Sequence, residues 1–403
     1  MRTMASSPTP QYSSEFRHDP LPDSATHIRL LEVLDTSHHP KDDEDDDKDD
    51  DDHASVRCRL TAWPVDSAPP YHAISYTWGD PDLAARVTVN GRRMEVRQNC
   101  EYVLRQARWH GGGGGSSGSA SRYYWVDAIC IDQGNLEEKG RQVAMMGGIY
   151  RRAAGVLACV GGHADDSDFL YEMLAAHEST WVSIATAVME FTEWWEDDRV
   201  TLLIQRMRQA LGAEGTRRLL RAMGAFSRRP YFSRLWILQE LYHGSAVGFL
   251  CGRDNMPCAL LLQLFRLRHC WSFWSPYSLD DCLGPEGDGA GPGRLCLSNA
   301  DMLLLVARQS PIGSKTLVAL SRSAARLRCE DPRDRVYGIV SMVDWASAGV
   351  APIVPDYTRA AFGVALDFLR KLAEFQLRRA PGFDGDLLHA GLAMVRNLAL
   401  TAE

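Results

Sequence analysis

Alternation of hydrophobic and polar residues predicts a series of β-strands in the first hundred residues. His27 to Leu34 has a strand pattern that Val56 to Trp63 resumes, and these two segments predict a pair of strands joined by a polar loop. Tyr71 to Tyr76 predicts a third strand. Val87 to Val96 predicts a small hairpin that turns at Asn90-Gly91, a strong two-residue turn signal.

The following segments predict helices and strands in alternation. Asn99 is expected to cap a helix that ends near Trp109. Tyr123 to Asp132 is a nearly continuous apolar run, which predicts a central strand covered on both faces. Asn135 is expected to cap a helix that runs through Arg152, and Val156 to Val160 predicts another buried strand.

One further stretch, Ser233 to Gly252, predicts a helix, a short turn and a strand over Ala246 to Cys251. Trp236 and Glu240 are four residues apart, so the helix is expected to place them on one face. Alternating strands and helices imply crossover connections and a parallel sheet. The predicted fold is therefore an α/β parallel sheet core flanked by helices.

Composition shifts divide the chain into segments. We predict a disordered N-terminus over 1–26, one domain over 27–252, and a mostly helical C-terminal extension over 253–403. Within the domain we predict an acidic disordered insert at 41–52, a Gly-rich loop at 111–119 and a helical insertion at 165–229.

The acidic insert accounts for the net charge of the chain. Residues 41–52 hold ten acidic residues and two lysines, which equals the formal charge of −8 of all 403 residues. The remainder is nearly neutral, and this argues against a nucleic-acid-binding protein.

The longest uncharged apolar run, Trp181 to Met189, is too short to span a bilayer. The polar start of the chain does not resemble a signal peptide, and cysteines inside predicted strands fit a reducing compartment, so we expect a cytoplasmic location without membrane contact. No metal site is predicted, because His269, Cys270, Cys282 and Cys296 lack the spacing of zinc ligands.

Candidate site residues lie at the carboxyl ends of the predicted strands, where open α/β sheets bind ligands. Trp78-Gly79-Asp80 follows one strand and Asp132 ends another. Glu240 is costly to bury unpaired, so it serves either chemistry or an ion pair with Arg234 or Arg229. Asp127, as an acid within a strand, is expected to join a structural hydrogen-bond network.

Several sequence blocks, in their order, resemble the fungal heterokaryon-incompatibility (HET) domain. The blocks are IRLLEV, YHAISYTWGD, YYWVDAICIDQGNLEEKGRQVAMMGGIYRRAAGVLACVG and RPYFSRLWILQELYHGSAVGFLCG, followed by DPRDRVYGIVSMV and PDYTRAAF. This resemblance implies a fungal intracellular protein in self/non-self recognition and programmed cell death.

A more distant resemblance connects two of these blocks with TIR domains, whose fold is flavodoxin-like. Ala73 to Tyr76 with Gly79-Asp80 is similar to the first TIR strand and its loop, and Trp236 to Leu241 is similar to the TIR helix that carries the catalytic Glu. The resemblance implies NAD as a substrate, without a permanently bound cofactor, and Glu240 as the catalytic residue. The residues expected to bind NAD are Ser75, Trp78, Gly79, Asp80, Asp132 and Trp236.

Two functions remain open at this point. One is an NAD-consuming death effector in which a carboxylate stabilises an oxocarbenium-like transition state. The other is a non-catalytic signalling module that forms a homo-oligomer or binds a partner signalling protein. Some TIR domains are adaptors, so likeness of fold does not decide between them.

Overall fold

The fold is built on one mixed β-sheet, seen in a computed structural model that describes residues 15–34, 56–112, 122–179, 198–261, 324 and 327–379. These residues contribute nine strands to the sheet. Their bounds are β1 (His27–Val33), β2 (Arg57–Pro64), β3 (Tyr71–Tyr76), β4 (Ala84–Val89), β5 (Arg92–Arg97), β6 (Tyr123–Trp125), β7 (Gly155–Cys159), β8 (Val247–Cys251) and β9 (Asp254–Pro257).

The centre of the sheet is parallel, as the alternation of strands and helices predicts. The order across the sheet is β5-β4-β2-β1-β6-β3-β7-β8-β9, in which β6, β3, β7 and β8 run in one direction. β1 pairs antiparallel with β6, and β9 pairs antiparallel with β8. The carboxyl ends of the neighbouring strands β3 and β6 therefore open at the same edge of the sheet.

Eight α-helices lie within the described part of the chain. They are α1 (Gln98–Gly112), α2 (Asp127–Cys130), α3 (Leu136–Arg152), α4 (Ser167–Ala176), α5 (Asp198–Ser227), α6 (Ile237–His243), α7 (Asp334–Val340) and α8 (Ala361–Arg379). α5 is interrupted at Gly212, whose φ of 66° and ψ of −177° are not helical.

Helix α3 begins where the sequence predicts. The Asn135 side chain accepts a hydrogen bond from the Glu138 amide at 3.1 Å, which satisfies one of the free N–H groups of the first turn. The Tyr71 hydroxyl of β3 donates to the Ile149 carbonyl of α3 at 2.7 Å. This bond fixes the helix against the central strand. The start of α3 faces the sheet edge where β3 and β6 end.

Both predicted hairpins are confirmed. β1 and β2 pair antiparallel along their length, from His27 opposite Pro64 to Val33 opposite Cys58. β4 and β5 also pair antiparallel, and the turn between them places Asn90 at φ 50° and Gly91 at φ 77°. Two consecutive positive φ angles are what a type I′ turn requires.

The prediction of one long strand over Tyr123 to Asp132 is wrong. β6 ends at Trp125, and Asp127–Cys130 forms the single helical turn α2. Both elements are buried, and periodicity alone does not separate a short buried strand from a buried helical turn. Asp127 consequently lies at the start of a helix, where its Oδ1 accepts from the Ala128 amide at 2.7 Å.

The expected disorder over 1–26 is wrong for residues 15–26, which pack against the sheet. The His18 ring lies 2.8 Å from the Ile129 carbonyl, and Arg29 donates to the Asp19 carbonyl at 2.7 Å. Residues 1–14, the acidic insert 41–52 and residues 113–119 of the Gly-rich loop lie outside the described residues.

The helical insertion contains α4 and α5. The C-terminal region begins with strand β9 and contains α7 and α8, while the four residues considered for zinc lie outside the described part. No described helix is long and apolar enough to cross a membrane.

Candidate functional site

A cavity of about 270 Å³ opens at the sheet edge where β3 and β6 end. It is lined by the loop after β3, the α2 turn, the start of α3, the approach to α6 and the segment leading into α7. The lining includes Trp78, Asp127, Lys139, Arg234, Trp236, Arg328, Asp334 and Tyr357. Its position follows the rule that ligands of open α/β sheets bind beyond the carboxyl ends of strands.

Two tryptophan–aspartate pairs shape the cavity. The Trp78 indole N–H donates to Asp127 Oδ2 at 2.9 Å, and the Trp236 indole N–H donates to Asp334 Oδ2 at 3.1 Å. Each bond satisfies a half-buried indole and fixes the orientation of its ring. Burial raises the pKa of Asp127, while the nearby Arg234 guanidinium opposes that shift.

Asp334 is another carboxyl group of the cavity and is 7% exposed. Besides the Trp236 bond, its Oδ1 accepts from the Tyr357 hydroxyl at 2.7 Å. Burial raises the pKa of Asp334 to about 7, and these hydrogen bonds work in the opposite direction. A carboxyl group tuned in this way can exchange a proton near neutral pH.

Glu240 lies behind the cavity in a buried network. Its carboxylate forms an ion pair with Arg234, with both N–O distances at 3.3 Å, and accepts a short hydrogen bond from Ser75. The Ser75 hydroxyl also lies 2.7 Å from the Tyr231 hydroxyl. Burial raises the pKa of Glu240, and Arg234 and Ser75 oppose the shift. Glu240 thus reaches the cavity only through Arg234.

The loop after β3 depends on Gly79. Its φ of 85° lies in the left-handed region, and a Cβ added there would stand 2.7 Å from Asn99 Nδ2. Asn99 was expected to cap α1, but that prediction is wrong. The helix already begins at Gln98. The Asn99 side-chain Nδ2 donates to the Thr77 carbonyl at 2.9 Å instead. Asn99 therefore holds the loop that carries Trp78.

The segment before α7, which includes Arg328 and Glu330, is held at the cavity by contacts with two other elements. Arg328 exchanges two backbone hydrogen bonds with the approach to α6, to Ser233 at 2.7 Å and from Leu235 at 2.9 Å. Arg97 of β5 forms a bidentate ion pair with Glu330, and its guanidinium also lies 5.3 Å from the Trp78 ring centroid. The segment is thus tied to two different parts of the sheet domain.

Two cationic side chains at the cavity lack an acidic partner among the described residues. Lys139 Nζ lies 4.5 Å from the Tyr357 ring centroid, a cation–π contact. Neither Lys139 nor the exposed Arg328 is within 4.0 Å of a described carboxylate. Such groups can bind an anionic part of a ligand, whereas Arg234 is already paired with Glu240.

Three of the seven predicted site residues line the cavity: Trp78, Gly79 and Trp236. The other four lie elsewhere, and their assigned roles stay predictions. Ser75 and Glu240 form the network behind Arg234, and the structure does not place Glu240 and Trp236 in one cavity. Asp80 accepts from the Asp82 amide at 3.0 Å, and Asp132 accepts from the Gly134 amide at 3.1 Å, so both stabilise local turns.

The sequence did not point to Lys139, Arg328, Asp334 and Tyr357 as cavity residues. It did predict the ion pair of Glu240 with Arg234 and a hydrogen-bond network for Asp127, and both are confirmed, although the positions of Arg234 and Asp127 at the cavity were not predicted. A signal for two of these four residues was present. Asp334 and Tyr357 belong to the blocks DPRDRVYGIVSMV and PDYTRAAF, which resemble segments that often follow HET domains. Lys139 and Arg328 carried no comparable signal, because single cations are common on protein surfaces.

Comparison with known proteins agrees with the resemblance drawn from the sequence. Residues 71–240 match the family model described as Heterokaryon incompatibility protein (HET). The chain is 26% identical over 382 residues to Heterokaryon incompatibility protein 6, OR allele, of Neurospora crassa, a match that covers 84% of this chain. It spans about half of that relative's length, 50%. No solved structure gives a significant match.

Proposed function

We propose that this protein, which carries a fungal heterokaryon-incompatibility (HET) domain, acts in self/non-self recognition between fungal cells and in the cell death that follows. Support comes from the family match over residues 71–240 and from the similarity to Heterokaryon incompatibility protein 6 of Neurospora crassa. The match covers 50% of that relative, so the relative's function comes to this chain as a proposal.

We further propose that the cavity binds NAD and cleaves its nicotinamide–ribose bond, on a sheet related to that of TIR domains. The observation that carries this proposal is the composition of the cavity. Trp78 and Trp236 offer aromatic surfaces for flat rings, while Lys139 and Arg328 offer positive charge for a pyrophosphate. Such a mixture fits a ligand that is flat at its ends and anionic in its middle.

The cleavage needs little more than charge stabilisation and a water molecule. Nicotinamide leaves as a neutral ring when the C1′–N bond breaks with its electron pair, and positive charge grows on the ribose. The carboxyl groups of Asp127 and Asp334 line the cavity, and their ionised forms stabilise that charge. Water then adds to C1′ and gives ADP-ribose and a proton.

Within this mechanism we assign Glu240 and Ser75 to positioning. Glu240 holds the Arg234 guanidinium at the cavity wall, and Ser75 holds Glu240. Arg234 in turn lies close enough to Asp127 to favour its ionised form. Loss of Glu240 is therefore expected to change the reaction through Arg234 and Asp127 rather than by loss of a group that contacts NAD.

A test of this function uses a fungal strain that expresses the full chain from an inducible promoter. We expect growth arrest preceded by a fall in cellular NAD, and loss of both effects in the double variant Lys139→Ala/Arg328→Ala. Asp66→Asn, which alters an exposed pair with Arg152, is the matched control and should behave as wild type. Growth arrest while cellular NAD stays constant would refute the enzymatic proposal. The proposed role in heterokaryon incompatibility would still stand.

The non-catalytic alternative, death by assembly, has one structural feature in its favour. On α8, Phe362 is 57% exposed and Leu366, one turn away, is 48% exposed, which leaves an apolar strip on the helix surface. A homo-oligomer or a partner signalling protein would bury it. Loss of toxicity in Phe362→Ser, with NAD cleavage by the purified variant unchanged, would favour assembly.

A further inference from the structure

The matched family region does not contain the whole cavity. Residues 71–240 supply both tryptophans, but Arg328, Asp334 and Tyr357 lie more than eighty residues beyond that region. Backbone hydrogen bonds to Ser233 and Leu235 hold this C-terminal segment in place. The carboxyl groups of Glu330, Asp331 and Asp334, which all line the cavity, are therefore provided from outside the region that defines the family.

Asp334 differs from the other buried acids of the described residues. Three acidic residues are buried: Glu138, Glu240 and Asp334. Glu138 pairs with Arg29 and Glu240 pairs with Arg234, whereas Asp334 accepts hydrogen bonds from the neutral Trp236 and Tyr357 side chains. A buried carboxyl group that forms no ion pair is costly for the fold, and such groups are concentrated at functional sites.

The charged neighbours of Asp334 leave its proton exchangeable. Asp331, on the same segment, raises the pKa of Asp334, and Lys139 on α3 lowers it. Asp331 is itself paired with Arg333, whose Nη2 lies 2.6 Å from Oδ2. Cys329 and Tyr357 are titratable neighbours as well. Burial raises the pKa of Cys329 to about 11 and also raises the pKa of Tyr357, so both stay neutral.

We propose that Asp334 is the catalytic base of this cavity and accepts the proton of the water that attacks C1′ of NAD. The proposal rests on the function proposed above. In the step, the C1′–N bond breaks and its electron pair goes to nicotinamide. The water oxygen bonds to C1′, and one water proton passes to the Asp334 carboxylate and then to solvent. Trp236 and Tyr357 hold that carboxylate in place.

The experiment compares the full chain with Asp334→Asn and Asp66→Asn, using NAD as the probe. Asp66 is the matched control, since its carboxylate is 91% exposed and pairs with Arg152 on the surface. We expect Asp334→Asn to bind NAD within threefold of wild type but to hydrolyse it about 10²- to 10⁴-fold more slowly, the usual contribution of a general base. Wild-type kcat/KM should rise with pH through about 7, and this rise should be absent from the variant.

A second variant separates catalysis from structure. Tyr357→Phe removes a hydrogen bond that lowers the pKa of Asp334, so the rise in kcat/KM should move to higher pH. If Asp334→Asn does not fold, the pH profile of Tyr357→Phe tests the proposal by itself. A profile of kcat/KM that is not shifted from wild type overturns the proposal.

The remaining outcomes are distinct. Wild-type cleavage with an equal rate and profile in Asp334→Asn overturns the role of Asp334 and leaves the NAD-cleaving function standing. Loss of NAD binding in a folded Asp334→Asn also overturns it, because the residue would then serve binding. No cleavage by wild type overturns the enzymatic function itself, and the role of Asp334 falls with it.

Discussion

The substitution Glu240→Ala probes the buried network that supports the cavity. It removes the carboxylate that pairs with the Arg234 guanidinium, and the two side chains are only 1% and 12% exposed. Arg234 would keep its charge, because an arginine guanidinium stays protonated in proteins and the nearby Asp127 still favours its charged form. The variant therefore leaves a buried cation that has lost its hydrogen-bonded counter-ion.

The expected cost follows from that geometry. Removing one partner of a buried ion pair costs about 3–5 kcal/mol of unfolding free energy. The Ser75 hydroxyl keeps the Tyr231 hydroxyl at 2.7 Å, so its lost bond to Glu240 adds little. Asp127 still offers Arg234 a negative charge, and we place the total near the lower limit, about 3 kcal/mol.

The assay is urea unfolding of the full chain, followed by circular dichroism, for wild type and three variants. Glu240→Gln keeps the side-chain shape and should lose about half as much stability as Glu240→Ala. The double variant Glu240→Ala/Arg234→Ala removes the unpaired cation and should be no less stable than Glu240→Ala alone. A Glu240→Ala midpoint equal to that of wild type would refute the reasoning.

Three further predictions concern stability. Gly79→Ala forces a left-handed φ and a contact with Asn99, and should lower the free energy of unfolding by roughly 1–3 kcal/mol; a urea midpoint that does not move would contradict this. Asn135→Ala removes the cap of α3 and should cost about 1 kcal/mol by the same assay, while a matched change at the exposed Glu137 should cost almost nothing. The third prediction concerns Asp334, whose pKa is raised from 3.8 to about 7 in the folded state. The folded state therefore holds this proton more tightly than the unfolded state does. As pH rises from about 4 to 7, the free energy of unfolding of wild type falls by up to roughly 4 kcal/mol because of this group. Asp334→Asn should therefore gain stability relative to wild type over that interval, and a pH-independent difference in thermal unfolding would count against it.

The sequence predicted the central sheet because β3 and β7 have strong strand patterns and α3 has a clear cap at Asn135. It misread Tyr123 to Asp132, since a buried helical turn and a buried strand are equally apolar.

The cavity was harder to predict than the sheet. The position of Trp78 and Gly79 at the end of a strand correctly indicated that they line the cavity. The four-residue spacing of Trp236 and Glu240 did not predict where their side chains lie. Trp236 precedes the first turn of α6 and bonds to Asp334, whereas Glu240 lies inside the helix and bonds to Arg234. The partner Asp334 is 98 residues from Trp236 in the chain, and a local pattern does not report a contact at that distance.

The most direct test of the NAD-cleaving cavity is a proton NMR time course of NAD with the purified full chain at pH 8. The account predicts that free nicotinamide and ADP-ribose appear together in equal amounts, rapidly with wild type and Asp66→Asn and far more slowly with Asp334→Asn. NAD that remains intact with wild type, at a protein concentration that saturates its binding, would contradict the account.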